Sequence, residues 1–446
     1  MTRSSLGGRH LRVLVVAVAA LTLLLAACSS SGGGGATTPA APGTGGGPTS
    51  AAGGGVDDGT QLTMWTRAGT ESQSKALVDA YNASHSNQIK LTVYPNEEYP
   101  DKIATAALGK ALPDIFTSDV VFAPNYVNQN LWTDITDRFN ALPFKDSVAP
   151  SHVRAGTADG KIYAVPHALD LSVMFYNKKL YTQAGLDPAK PPTTLQEFAE
   201  QARKVAALGG DVNGTYFGGN CGGCVEFTFW PSVWADGAAV MNDEGTESTI
   251  DNPQMAAVFK IYRDLYSDGA AASASKEENG TTWLGALQTG KVGIAPGPSS
   301  WYSLIKDKGI DVGISAIPGV NGGQSTFVGG DVAGISATSS HADQAWDFLA
   351  WSLGDDAQVN VVAKQGQIIA RTDLAENKYA AADPNIVTIN KVMAKGETPF
   401  ALNFNATYND PQSPWTTLLR GALFGDDPAK ALSDGQSAIT DSLQSN

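Results

Sequence analysis

Cysteine, histidine and basic residues are all scarce in this chain, and each shortage excludes something. The five histidines stand singly, and without a close histidine pair or a second cysteine pair no zinc set can be assembled. His-Glu-x-x-His and Gly-x-Ser-x-Gly are both absent, which removes the common signatures of zinc peptidases and serine hydrolases. Gly285-Ala-Leu-Gln-Thr-Gly-Lys-Val292 begins like a phosphate-binding loop, but Val292 stands where a magnesium-holding Ser or Thr is required. Asp211-Val-Asn-Gly214 is a calcium-loop fragment without its later glutamate, so a turn is the expectation. Lys and Arg number 30 against 44 Asp and Glu, a formal charge of −14 without basic runs, which argues against nucleic acid and anionic membranes as partners.

The N-terminus carries a clear processing pattern. Arg3, Arg9 and Arg12 precede the apolar run Val13 to Leu25, and Ala26 and Ala27 lead into Cys28. This is the layout of a signal peptide over residues 1–27, with an apolar run too short for a permanent span. Leu25-Ala-Ala-Cys28 resembles the bacterial lipobox, which implies lipid on Cys28. Residues 28–59, rich in Gly, Ser, Ala, Thr and Pro, read as a flexible tether. Outside the cytoplasm Cys221 and Cys224 read as a local disulfide; closing so short a loop stabilises by about 2 kcal/mol, so its expected job is to shape a loop. A redox pair is the alternative, but no strand-then-helix context frames it.

Downstream, the chain reads as α/β. Gln61 to Trp65 is a short β-type run, Thr70 and Gln73 have capping-box spacing ahead of a helical stripe, and Ile89, Leu91 and Val93 alternate as a strand. This β-α-β opening predicts parallel strands, continued by Leu112-Pro-Asp-Ile-Phe116. Ligands collect beyond the carboxyl ends of such strands, so Trp65, Arg67 and Glu71 are expected at one mouth with Asp119. Helices are expected from Thr194, over Pro253 to Tyr266, over Ala342 to Leu353, and from Pro414; Leu287 to Ala295 and Asp311 to Pro318 are expected to supply strands.

The stretch from Gly160 to Gly185 organises the rest. A run Ile162 to Val165 is stopped by Pro166, and Val173 to Tyr176 follows before Asn177-Lys-Lys179. Its string Gly-Lys-Ile-Tyr-Ala-Val-Pro, then Tyr-Asn-Lys-Lys-Leu and Ala-Gly, resembles the extracellular solute-binding proteins of bacterial ABC transporters, family 1, the sugar-binding type. Pro113-Asp114, the Pro-x-Thr-x-x-Glu element ending at Glu197, Gly329-Gly330 with Ile335, and Gly366 to Arg371 continue the likeness, although Ile369 replaces a usual proline.

The resemblance implies a two-lobed periplasmic-binding-protein-like fold of type II, with a ligand cleft between lobes. Crossings near Pro166, Gly330 and Arg371 would assign residues 60–167 and about 330–370 to one lobe, and 168–329 and about 371–446 to the other. It implies a carbohydrate ligand, no cofactor and no catalysis, delivery to the transmembrane permease subunits of an ABC importer, and a monomer held on the outer face of the cell membrane by its lipid. A sugar presents apolar faces to aromatic rings and hydroxyls to carboxylates, amides and arginine. The candidate stacking residues are Trp65, Trp230, Trp234, Trp283, Trp301 and Trp415, with Trp301 and Trp415 favoured by the resemblance. Candidate polar contacts are Glu71, Asp119, Asp170, Gly330, Asp331 and Arg371, with Arg67 and His167 ranked lower. Trp132, Trp346 and Trp351 are expected to pack. Another polar solute, such as a polyamine, needs several carboxylates instead of flat faces; a glycoside hydrolase would show the same residue types but cleave its substrate.

Overall fold

The computed structural model describes residues 53–96 and 98–445; the signal peptide, Cys28 and the tether up to residue 52 lie outside the described residues. The tether was expected to run to residue 59, but the chain is tied down earlier. Asn87 Oδ1 accepts the backbone N–H groups of Asp58, Gly59 and Thr60 at 3.0–3.1 Å, its Nδ2 donates to the Val56 carbonyl, and Asp57 accepts the N–H groups of Ser86 and Asn87. A glycine-rich sequence says nothing about such a partner one strand away.

Alternation in Gln61–Arg67 buries Leu62, Met64 and Thr66, as a strand with a covered face demands. This strand pairs in parallel with Gln88–Tyr94 and with Ile115–Asp119, as expected of the β-α-β opening. Between the first two, helix Glu71–Ser84 buries Leu77, Val78 and Tyr81. The sheet runs on through Thr326–Ile335, antiparallel to Ile115–Asp119, to the 14-residue strand Ala164–Asn177 and then Ile294–Pro298.

Ala164–Asn177 is the strand along which the sheet changes partners. Its first half pairs with Val328–Gly334, and from Ser172 onward it pairs with Ile294–Pro298 and Val312–Ser315. Pro166 lacks an N–H, and the ladder slips between Pro166 and Ala168, which is where a bulge lets a strand turn. Gly330 is required opposite: its φ is +104°, and a Cβ there would collide with the Ala168 carbonyl. Further along the chain the pairing is looser, with Ile368 bridged to Leu169 and Arg371 to Val148.

Helix Leu195–Ala206 starts at Thr194, whose hydroxyl accepts the Glu197 N–H at 3.1 Å. Asn177 caps Lys178–Gln183 in the same way, so the Tyr-Asn of the motif is structural here. The helix Pro253–Ser267 buries Met255, Val258, Phe259 and Tyr262, and Trp132 and Trp346 are buried packing residues as expected. One strand boundary was misplaced. Leu287 and Gln288 end the helix Trp283–Gln288, and the strand begins only at Ile294, because Gly290 at φ +70° turns the chain between them.

Candidate functional site

A cavity of about 570 Å³ opens at the carboxyl ends of Gln61–Arg67 and Ile115–Asp119, where the parallel-strand rule places a site. Its lining includes Arg67, Thr70, Gln73, Asp119, Asp170, Glu226, Phe227, Ser300, Phe327, Gly330, Gln367 and Asn409.

Strand register builds one wall. Asp119 and Asp331 are opposite each other in the antiparallel ladder, and Arg67 bridges them. Its Nε and Nη2 donate to Asp331 Oδ1 at 2.8 and 2.5 Å, and Nη2 lies 3.0 Å from Asp119 Oδ2. The other oxygen of Asp331 accepts the hydroxyls of Thr70 and Thr117, so a fully buried carboxylate is saturated with donors, the condition for burying a charge. The expected capping box at Thr70 does not form, because both its members are engaged here: Thr70 in this network, and Gln73 by donating to the His167 carbonyl at 2.6 Å. Behind the wall, Ser74 meets His167 Nε2 at 2.7 Å. Burial pushes His167 down to about 4, against the pull of Asp331, so the imidazole is neutral.

Asp170 stands beside the crossing. It accepts the Ser299 hydroxyl, and both the N–H and hydroxyl of Ser300, at 2.7–3.0 Å. Burial raises it, and these neutral donors pull it partly back. Asp119 is raised by burial, with Arg67 opposing and Asp331 adding to the rise.

The other wall follows the cysteine pair. Cys221 and Cys224 are joined, and they fold Gly222 and Gly223 against the chain, where a Cβ on Gly222 would strike the Tyr408 carbonyl. Gly223 reaches the lining, and the short helix Val225–Thr228 delivers Glu226 and Phe227 to it. Phe227 meets Phe327 edge-on at 5.1 Å. Glu226 is only 4% exposed, and its Oε1 has no hydrogen-bond partner. Burial, and then Asp119, push its carboxyl well above the usual range.

Of the residues anticipated from sequence, Arg67, Asp119, Asp170 and Gly330 line the cavity, and Asp331 and His167 support it from behind. The tryptophans need correction, since no tryptophan is in the lining among the described residues. Trp230 and Trp415 are fully buried against each other, with Tyr408 and Phe259, in the helical core. Trp234 leans on Trp230 at that core's edge, Trp65 packs on Tyr94, and Trp301 packs on the buried Trp283 at 5.0 Å. Glu71 is exposed on the first turn of its helix and outside the lining. Arg371 is buried elsewhere, stacked over Phe144 at 4.1 Å and bonded to Asp373. The residues missed were Gln73, Glu226, Phe227, Phe327, Gln367 and Asn409; the aromatic density after the cysteine pair was the available signal for Phe227.

The profile of the bacterial extracellular solute-binding proteins matches residues 76–388. The chain belongs to that family. It is 24% identical to a putative binding protein of Brucella abortus, over 56% of this chain and 61% of that protein, so it spans about three fifths of that relative. A longer match, 25% identical over 84% of this chain and 87% of the other, is with the diacetylchitobiose-binding protein DasA of Streptomyces coelicolor. Among solved structures, the cyclic alpha-maltosyl-1,6-maltose-binding protein of Arthrobacter globiformis superposes with a TM-score of 0.74 at 23% identity, covering 87% of this chain and 100% of that one. The fold of this solute-binding protein is therefore the two-lobed α/β fold of its neighbours. The family is one of binding proteins placed outside the cytoplasm. Among the described residues no helix is long and apolar enough to cross a membrane.

Proposed function

We propose that this protein captures a mono- or oligosaccharide between two lobes and delivers it to the permease of an ABC importer, with no turnover of its ligand. The lobes divide as the three crossings suggest, residues 60–167 with about 330–370 and residues 168–329 with about 371–446. Closure follows from contacts on both sides, since a ligand favours the closed form by its difference in affinity for the two states. Arg67, Asp119 and Asp170 serve hydroxyl groups, Gly330 lets the backbone approach, and Asp331 and His167 position them. The flat faces come from Phe227 and Phe327 rather than from tryptophan. Lipid on Cys28 would hold the monomer at the outer face of the membrane.

The observation that carries this reading is the cavity itself, with charge-assisted hydrogen-bonding groups and two phenyl rings converging at the strand ends where two halves of a shared sheet meet. Likeness to relatives named for diacetylchitobiose and for a cyclic maltosyl sugar supports a carbohydrate. A thermal-shift screen with mono-, di- and trisaccharides tests it, because a ligand that binds only the folded state raises Tm. A shift with at least one sugar, and no cleavage products on prolonged incubation, is expected. Cleavage would replace the transport reading with a hydrolase.

A further inference from the structure

The cavity holds more negative charge than its own cation can balance. Four carboxyl groups meet there, Asp119, Asp170, Glu226 and, just behind, Asp331, and Arg67 is the one cationic side chain among the lining residues. Arg67 is already shared between Asp119 and Asp331. Asp170 has only neutral donors. Glu226, 4% exposed, has an oxygen with nothing to accept from. Leaving a buried carboxyl oxygen without a donor is costly, and most native structures avoid it.

Resting on the carbohydrate reading above, we propose that the ligand is an amino sugar, and that Glu226, with Asp119 and Asp170 across the cavity, receives its protonated amine. An ammonium offers three donors and a full positive charge, which matches what this cavity lacks. A neutral sugar hydroxyl could donate to Glu226 but would leave the charge imbalance untouched. Phe227 and Phe327 favour the same ligand, since an aromatic face attracts a cation and an apolar sugar face alike. Burial pushes the Glu226 carboxyl well above its ordinary range, and a cation beside it supplies the partner that ionisation requires.

The test is calorimetric titration of the full folded domain with matched pairs: glucosamine against glucose, galactosamine against galactose, and disaccharides with free amines against their N-acetylated and hydroxyl forms. At least one free amine should bind about tenfold or more tighter than its neutral partners. Glu226→Gln, checked for folding by its melt, should bring that preference to within about twofold. Neutral or acetylated sugars binding as tightly as the amines would overturn the amino-sugar assignment and leave the carbohydrate reading standing. A polyamine such as spermidine binding while every sugar fails would overturn the carbohydrate reading and, with it, the amino-sugar assignment. An undiminished amine preference in Glu226→Gln would remove Glu226 from the site.

Discussion

The wall around Arg67 and the wall around Glu226 face the same cavity but treat buried polar groups in opposite ways. At Arg67 every charge has a partner: Asp331 accepts from a guanidinium and two threonines, and Gln73 and Ser74 fix His167 from behind. At Glu226 a buried carboxyl oxygen has no hydrogen-bond partner, and the phenol of Tyr408 in the adjacent core is also without one. The first wall is set before any ligand arrives. The second is incomplete until one does, and so trades stability for binding.

The sharpest way to break this contrast is Arg67→Ala. It strands Asp331 at full burial, and losing one partner of a buried pair costs about 3–5 kcal/mol. Urea denaturation should show that loss; a cost below about 1 kcal/mol would mean the wall is not held by its charges. Next is acid. His167 and His152 are both pushed down by burial to about 4, so their unfolded forms take up protons first. The stability they confer is complete above pH 6.5 and is lost as pH falls through about 4, on the order of 3 kcal/mol each. His167→Gln should therefore lose less stability than the native protein between those limits, by about that amount.

Glu226→Gln should act in the opposite sense and stabilise. Its folded carboxyl is raised, so the unfolded chain releases that proton first, and native stability falls as pH climbs above the ordinary carboxylate value. The variant should be more stable at pH 8 by about 1–3 kcal/mol in urea denaturation, with a smaller gain at pH 5. Breaking the disulfide with Cys221→Ser and Cys224→Ser should cost about 2 kcal/mol and loosen the Gly223 side of the cavity. Asp79→Ala, which breaks the exposed pair with Lys75, should change stability by less than about 0.5 kcal/mol and calibrates the rest.

The Arg67 wall was largely legible in the sequence, and the Glu226 wall was not. Arg67, Asp119 and Asp331 are tied to strand ends and to a crossing, and strands are written in local alternation and in punctuation such as Pro166 and Gly330. Glu226 belongs to no motif, and its burial comes from tertiary packing that no local pattern records. The tryptophans misled for the same reason. Trp230 and Trp415 each sit at the start of a helix next to a proline, and a helix start read from sequence does not say which way the side chain points. The cores that claimed them are assembled from Phe259, Tyr408 and each other.

The clasp of Asp57 and Asn87 has a practical side. Because Asn87 gathers the N–H groups of residues 58–60 and the carbonyl of Val56, tension applied upstream meets several hydrogen bonds loaded together before it reaches the first strand. A fusion joined ahead of Gly53 keeps that anchorage, whereas one that starts at Gln61 discards it and passes the load directly to a strand paired on both sides.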